Sequence, residues 1–215
     1  MQIMVDFTLY LITDRHQTAG RTLPAVVADA LAGGVKAVQL REKDLPARQL
    51  LELALELRGL TRRYGARLLI NDRVDVALAV DADGVHLGAA GITVAAARRI
   101  LGSDKLIGYS AHGVAEALAA QRDGADFVTF GPVYHTPSKA PYGPPLGVDR
   151  LAEAAAALAV PVFALGGVVV HTIPEVIAAG ASGIALISAI ISSPDPQSSS
   201  RTILETLRNH AESAR

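Results

Sequence analysis

Short apolar runs rich in β-branched residues alternate along this chain with longer Ala- and Leu-rich segments of helical period, and that alternation is the strongest constraint on its fold. The runs cover residues 9–13, 35–40, 67–70, 83–87, 105–108, 127–130, 161–165 and 183–187. None shows a sustained polar alternation, so each strand is expected to be buried on both faces, as in a parallel sheet covered by helices. Helices are expected over 23–31, 46–64, 74–80, 93–101, 114–122, 148–158, 173–179 and 201–212, the last preceded by a Ser/Pro segment, 192–200. Thr93 is the expected cap of the fourth helix, and Leu50, Leu51, Leu53, Leu55 and Leu57 supply the apolar residues of the second.

Eight strand–helix units in 215 residues predict a compact (β/α)8 TIM barrel, a single α/β domain over 1–215. An open doubly wound sheet is the runner-up, disfavoured because the first strand–helix turn lacks a glycine-rich nucleotide fingerprint. A weak internal repeat agrees with the barrel. Gly33-Gly34, Ala82-Asp-Gly84, Gly124-Ala-Asp126 and Gly180-Ala-Ser-Gly183 each end a helix and open a strand, with glycine supplying the positive φ that stops a helix.

Composition removes several function classes. The net charge is -1 with no basic stripe, and the chain is 4% aromatic with no Trp, which argues against nucleic-acid binding. With no cysteine there are no disulfides, thiolate metal sites or cysteine nucleophiles. Charged residues or Gly/Pro breaks interrupt every apolar run before it could span a membrane. The first residues lack the basic flank and long apolar run of a signal peptide, so the expected location is cytoplasmic. A homodimer through an apolar helix face is compatible with the pattern.

In such a barrel the site forms at the carboxyl ends of the strands. Gathered there are Gln39, Arg41 and Lys43, Asn71 and Asp72, Ser110, then Thr136, Ser138 and Lys139, and finally Gly166, Gly167 and Ser188. Donors dominate. Bare N–H groups at Gly166-Gly167, together with the chain at Ile187-Ser188, are suited to cradling a phosphate. Arg41, Lys43 and Lys139 can face one pocket only if an anion joins them, which points to small phosphorylated substrates.

Six segments carry a family resemblance: Gln39-Leu-Arg-Glu-Lys-Asp44, Asn71-Asp-Arg-Val-Asp75, Asp83-Gly-Val-His-Leu-Gly88, Gly131-Pro-Val-Tyr-x-Thr-x-Ser-Lys139, Ala164-Leu-Gly-Gly167 and Gly183-Ile-Ala-Leu-Ile-Ser188. Together they resemble the thiamine-phosphate synthase and TenI family. The resemblance implies coupling of 4-amino-5-hydroxymethyl-2-methylpyrimidine diphosphate with thiazole phosphate, or its carboxylate, to give thiamine phosphate and diphosphate. It further implies that Gln39, Arg41, Lys43, Asn71, Ser110 and Lys139 hold the pyrimidine diphosphate and that Asp72 ligates Mg²⁺. Arg41, Lys43, Lys139 and Ser110 would carry the chemistry, and Thr136, Ser138, Gly167, Ile187 and Ser188 would hold the thiazole phosphate.

One departure from the family pattern stands out. Where the synthases read Gly-Gln-x-Asp, with the Asp a second Mg²⁺ ligand, this chain has Gly88-Ala-Ala-Gly91. Two alternatives follow: a TenI-like thiazole tautomerase using His135 as acid/base, or a regulatory paralogue with reduced catalysis. Plainer readings also exist for single residues. Arg41-Glu-Lys-Asp44 could be a solvated loop, Asn71-Asp72 a helix cap, and Asp14-Arg15 a local ion pair. Asp75 is expected to face solvent, His86 to be a core histidine, His112 either to approach the site or to be a loop histidine with nothing to bond, and His171 to stand where a helix begins. Tyr142 and the loop 136–147 suggest a gate over the site.

Overall fold

The computed structural model describes residues 4–136 and 144–213. All eight expected strands form: β1 Leu9–Ile12, β2 Ala37–Leu40, β3 Arg67–Asn71, β4 Gly84–Leu87, β5 Leu106–Ala111, β6 Phe127–Phe130, β7 Val162–Leu165 and β8 Gly183–Leu186. They pair in chain order, every pair parallel, and β8 returns to β1 to close a barrel. The fifth strand runs three residues beyond the expected end, which carries Ser110 within the ladder opposite Thr129 of β6.

The outer layer comprises α1 Leu23–Ala32, α2 Ala47–Arg63, α3 Val74–Ala79, α4 Val94–Leu101, α5 Val114–Arg122, α6 Gly147–Ala157, α7 Ile173–Ala178, α8 Ser188–Ile191 and α9 Pro196–Ser213. Side-chain caps set two of the starts: Thr22 Oγ1 accepts the Ala25 N–H of α1, and Thr93 Oγ1 accepts the Ala96 N–H of α4. In α2 the buried positions are Leu50, Ala54, Leu57 and Thr61, a single helical stripe, while Leu55 is 53% exposed and lies off it. The Ser/Pro segment is not a connector throughout. Asp195 Oδ1 accepts the Ser198 N–H at 2.9 Å and Pro196 opens α9, so the final helix begins five residues earlier than its apolar pattern indicates.

The helix-ending glycines behave as expected at Gly34, Gly124 and Gly180, with φ of 106°, 102° and 91°. At the fourth strand the reason differs. Asp81 takes the positive φ there, 50°, and Gly84 is glycine because a Cβ would strike the Leu106 backbone of β5. The acids in two of these turns fasten the amino-terminal rim of the barrel. Asp83 Oδ2 accepts from Leu68 N at 2.8 Å and Arg58 at 2.6 Å; Asp126 Oδ2 accepts from Ile107 N at 2.7 Å and Arg98 at 2.6 Å.

Between the barrel and its helices lies a continuous aliphatic layer, whereas the barrel interior holds rings. Phe7 sits 5.3 to 5.6 Å, centroid to centroid, from Tyr10, Phe127 and Phe163, plugging the amino-terminal half. Gly108 leaves room for this cluster, because a Cβ there would strike His86 and Phe127. With the lower half filled by rings, polar groups have space only at the carboxyl ends of the strands.

Candidate active site

At the β1–β2 corner, the charges of the segment Arg41-Glu-Lys-Asp44 divide. Glu42 turns inward with its side chain 2% exposed, accepting Thr13 Oγ1 at 2.7 Å and the Arg15 N–H and guanidinium at 3.2 Å. Asp44 takes a two-pronged pair from Arg15 at 2.5 and 2.6 Å and a bond to His16 at 3.0 Å. The hydrogen bonds from Arg15, then from His16, hold the Asp44 carboxyl well below the usual range. Arg15 therefore pairs with Glu42 and Asp44 rather than with Asp14, whose carboxylate caps the following turn through His16 N and Gln17. Both acids of the segment are consumed, yet Arg41 and Lys43 have no carboxylate partner among the described residues. The solvated-loop reading fails for Glu42 but fits Asp44, whose side chain is 56% exposed, and the exposed Lys43.

Below them lies a buried polar layer. Gln39 Nε2 donates to the Tyr10 hydroxyl at 3.1 Å; that hydroxyl lies 3.4 Å from His86 Nδ1. His86 Nε2 lies 2.9 Å from Ser110 Oγ and 3.3 Å from Thr129 Oγ1, and Thr129 donates to Ser110 at 3.3 Å. Burial, reinforced by the positive charge of Arg41, lowers the His86 pKa to about 3, so the imidazole is neutral. Burial also raises the Tyr10 phenol far above its ordinary value, with the Gln39 bond opposing. The core role expected for His86 is observed, but it is a core histidine that touches the site through Ser110. Tyr10, Thr13, Glu42 and Thr129 escaped the sequence reading. The available signal was register: Gln39, Asn71, His86, Ser110 and Thr129 are polar residues at inward positions of otherwise apolar strands.

At the end of β3 the backbone of Asp72 is left-handed, with φ 57°. Its carboxylate does not cap α3, which has no side-chain cap. Instead Oδ2 accepts the Asn71 amide at 2.9 Å and Oδ1 accepts the Gly88 N–H at 3.2 Å. The left-handed backbone thus aims the carboxylate at the neighbouring loop instead of at the start of α3. Gly91 lies directly beneath: a Cβ there would sit 2.7 Å from Asp72 Oδ1. No group of three potential metal-ligating acids or histidines occurs among the described residues. One carboxylate with free lone pairs on both oxygens fits a Mg²⁺ that brings its remaining ligands as water and substrate phosphate.

On the far side, β6 leads through a cis Gly131–Pro132 peptide into a loop laid across β7, with Val133 N–H bonding to Leu165 and Tyr134 N–H to Gly166. Gly166 and Gly167 have φ of 92° and 67°, and a Cβ at either would press on Pro132 or on Tyr134 and the His135 carbonyl. These glycines thus let two loops touch, and no acceptor among the described residues takes the Gly167 N–H. Ser188 opens the four-residue α8 just after Ile187, beside this point at the end of β8. Thr136 lies at the edge of the same loop; Ser138, Lys139 and Tyr142 lie outside the described residues. His135 is exposed, without a side-chain hydrogen-bond partner among the described residues. His112 is held by the Gly131 carbonyl through Nδ1 and by Glu116 through its N–H, so it is a structural loop residue with partners. His171 stands in the short turn before α7, as expected, and the exposed Asp75 carboxylate pairs with Arg73. No helix among the described residues is long and apolar enough to cross a membrane.

The Pyrococcus furiosus thiamine phosphate pyrophosphorylase structure superposes with a TM-score of 0.87 at 36% identity, over 95% of this chain and 96% of that one. The thiamine-phosphate synthase of Chloroflexus aurantiacus is 46% identical over 200 residues, 93% of this chain and 92% of its own. A Geobacter sulfurreducens relative reaches 64% identity over 203 residues, spanning 94% of this chain and 95% of its own. A family model for thiamine monophosphate synthase matches residues 9–190, the stretch from the first barrel strand into α8. With the barrel closed and its strand-end residues in register, the chain belongs to the thiamine monophosphate synthase family.

Proposed function

We propose that the protein is a thiamine-phosphate synthase, a transferase that joins 4-amino-5-hydroxymethyl-2-methylpyrimidine diphosphate to thiazole phosphate or its carboxylate. The observation that carries this reading is the division of charge at the end of β2. Glu42 and Asp44 are occupied by Arg15, leaving Arg41 and Lys43 without a carboxylate partner among the described residues. A mouth built that way favours a multiply charged anion.

In the proposed reaction the C–O bond between the pyrimidine methylene and the diphosphate breaks, and its electron pair leaves with the diphosphate. The thiazole nitrogen lone pair then forms the new C–N bond. Arg41 and Lys43, with Lys139, stabilise the charge gathering on the leaving group, the term that matters most when a bond ionises. Gln39, Asn71 and Ser110 hold the pyrimidine. Thr136, Ser138, Gly167, Ile187 and Ser188 hold the thiazole phosphate. Asp72 would hold Mg²⁺, which when bound supplies further neutralisation of the diphosphate. The tautomerase alternative relies on His135, and no group among the described residues orients that side chain as a base.

The test is a coupling assay with the purified protein, both substrates and Mg²⁺, following thiamine phosphate by oxidation to its fluorescent thiochrome and repeating with EDTA. Product that disappears with EDTA is expected. Absence of product from folded protein that still binds thiazole phosphate would overturn the synthase reading and turn attention to isomerase activity at His135.

A further inference from the structure

The polar layer under the mouth has a direction. Tyr10 has one proton to give, and its oxygen already accepts the Gln39 amide N–H at 3.1 Å. The remaining neighbour able to take that proton is His86 Nδ1, 3.4 Å away. A neutral imidazole has one donor and one acceptor nitrogen. If Nδ1 accepts, Nε2 carries the hydrogen and donates to Ser110 Oγ at 2.9 Å. Thr129 also donates to Ser110 Oγ, at 3.3 Å. The Ser110 oxygen thus accepts from below on two sides, and its own proton has no acceptor among its described partners.

We propose that Tyr10 and His86 form a buried relay that turns Ser110 into an obligate hydrogen-bond donor toward the barrel mouth. Tyr10 and His86 are positioning residues; Ser110 is the group that meets the ligand. The ligand must present an acceptor lone pair at this point, as a ring nitrogen of an aminopyrimidine does and an N–H donor does not. That identification of the ligand rests on the synthase reading; the polarity of the relay does not.

Two measurements test it. Two-bond ¹H–¹⁵N correlations of the histidine ring in the free wild-type protein report the tautomer directly. The expected pattern for His86 is a bare Nδ1 and a protonated Nε2, and a protonated Nδ1 would overturn the proposal whatever the protein binds. Second, a double-mutant cycle is read on binding of the pyrimidine diphosphate. Tyr10→Phe keeps the packed ring and removes the hydroxyl that donates to His86 and accepts from Gln39, so it should weaken binding by about tenfold, the usual worth of one hydrogen bond. In a Ser110→Ala background the same change should lose most of its effect, leaving only the part that runs through Gln39, because the relay acts through the Ser110 hydroxyl. Equal losses in both backgrounds would make Tyr10 merely structural and overturn the relay. A wild-type protein that fails to bind the pyrimidine would refute the ligand assignment alone, with the tautomer measurement still deciding the polarity.

Discussion

Restoring an acid at position 91 makes a quantitative test of the Asp72 site. In Gly91→Asp the new Cβ falls 2.7 Å from Asp72 Oδ1 and 3.3 Å from its Cγ, too close for both to stay. The Asp72 carboxylate must swing off the Gly88 N–H, losing a bond to a charged group worth roughly 1.5–3 kcal/mol. Two carboxylates about 4 Å apart then repel by about 1 kcal/mol in a water-like setting and about 4 kcal/mol at an effective dielectric near 20. Gly91 is exposed, so the lower figure applies and the metal-free cost is about 3 kcal/mol. For a chain of this length that lowers the melting temperature by about 6–12 °C. A divalent cation between the two acids reverses the sign. Calorimetric scans in EDTA and in Mg²⁺ should therefore show a destabilised variant that Mg²⁺ restores, beside a parent protein that hardly responds. Gly91→Asn keeps the crowding without the second charge and should not be rescued by Mg²⁺. A loss in Gly91→Asp that Mg²⁺ leaves unchanged, or no loss at all, would refute the placement of position 91 against a cation held by Asp72.

Three further outcomes follow from the same geometry. Because the folded His86 pKa is about 3 and the unfolded value is near 6.5, the unfolded chain binds the extra proton between them. Stability should therefore fall as pH drops from about 6.5, by up to about 1.4 kcal/mol per unit and about 5 kcal/mol in all, and urea titrations of His86→Gln should show a shallower slope. Glu42→Ala strips the acceptor from Thr13 and from the Arg15 N–H and side chain, which should cost about 2–4 kcal/mol in denaturant unfolding. Lys43→Ala removes an exposed cation with no partner among the described residues. It should leave stability within about 0.5 kcal/mol while weakening pyrimidine diphosphate binding about tenfold, as read by calorimetric titration.

What was legible in the sequence depended on how far apart the interacting residues lie. Strands such as Phe127–Phe130 announce themselves locally, since both faces are buried and nearly every residue is apolar. The alternation of strands and helices then fixes the order in a closed barrel, because neighbours in sequence become neighbours in the sheet. Local rules also found Thr93 as a cap. They failed where a partner is remote. Arg15 looked like the partner of adjacent Asp14, yet its carboxylates lie on Glu42 and Asp44, brought close only by β1 pairing with β2. Tyr10 and Thr129 looked like ordinary strand residues until closure set them on either side of His86. Gly84 read as a turn glycine but yields to the backbone of β5, and Gly91, which stands where the family pattern has an acid, lies against the Asp72 carboxylate.

The protonation states of the floor bear on the kind of catalysis the barrel can perform. His86 takes up a proton only near pH 3, and Tyr10 holds its own far above the physiological range. Between those limits these two groups of the buried layer neither gain nor lose charge, so the layer orients hydrogen bonds without transferring protons. At the rim the position is reversed: Arg41 and Lys43 stand uncompensated because Arg15 has drawn off the acids between and beside them. A neutral, fixed floor beneath a cationic rim suits a reaction whose difficulty is the separation of charge. In the proposed reaction, as the C–O bond of the pyrimidine diphosphate lengthens, negative charge would gather where Arg41 and Lys43 can receive it. In that reaction the positive carbon left behind would meet Gln39, Tyr10, His86, Ser110 and Thr129, none of them an acid that could capture it. Placing a carboxylate in that layer, as in Thr129→Glu, at a position whose native hydroxyl lies 3.3 Å from Ser110, would offer a competing nucleophile and should abolish productive transfer even where the barrel still folds.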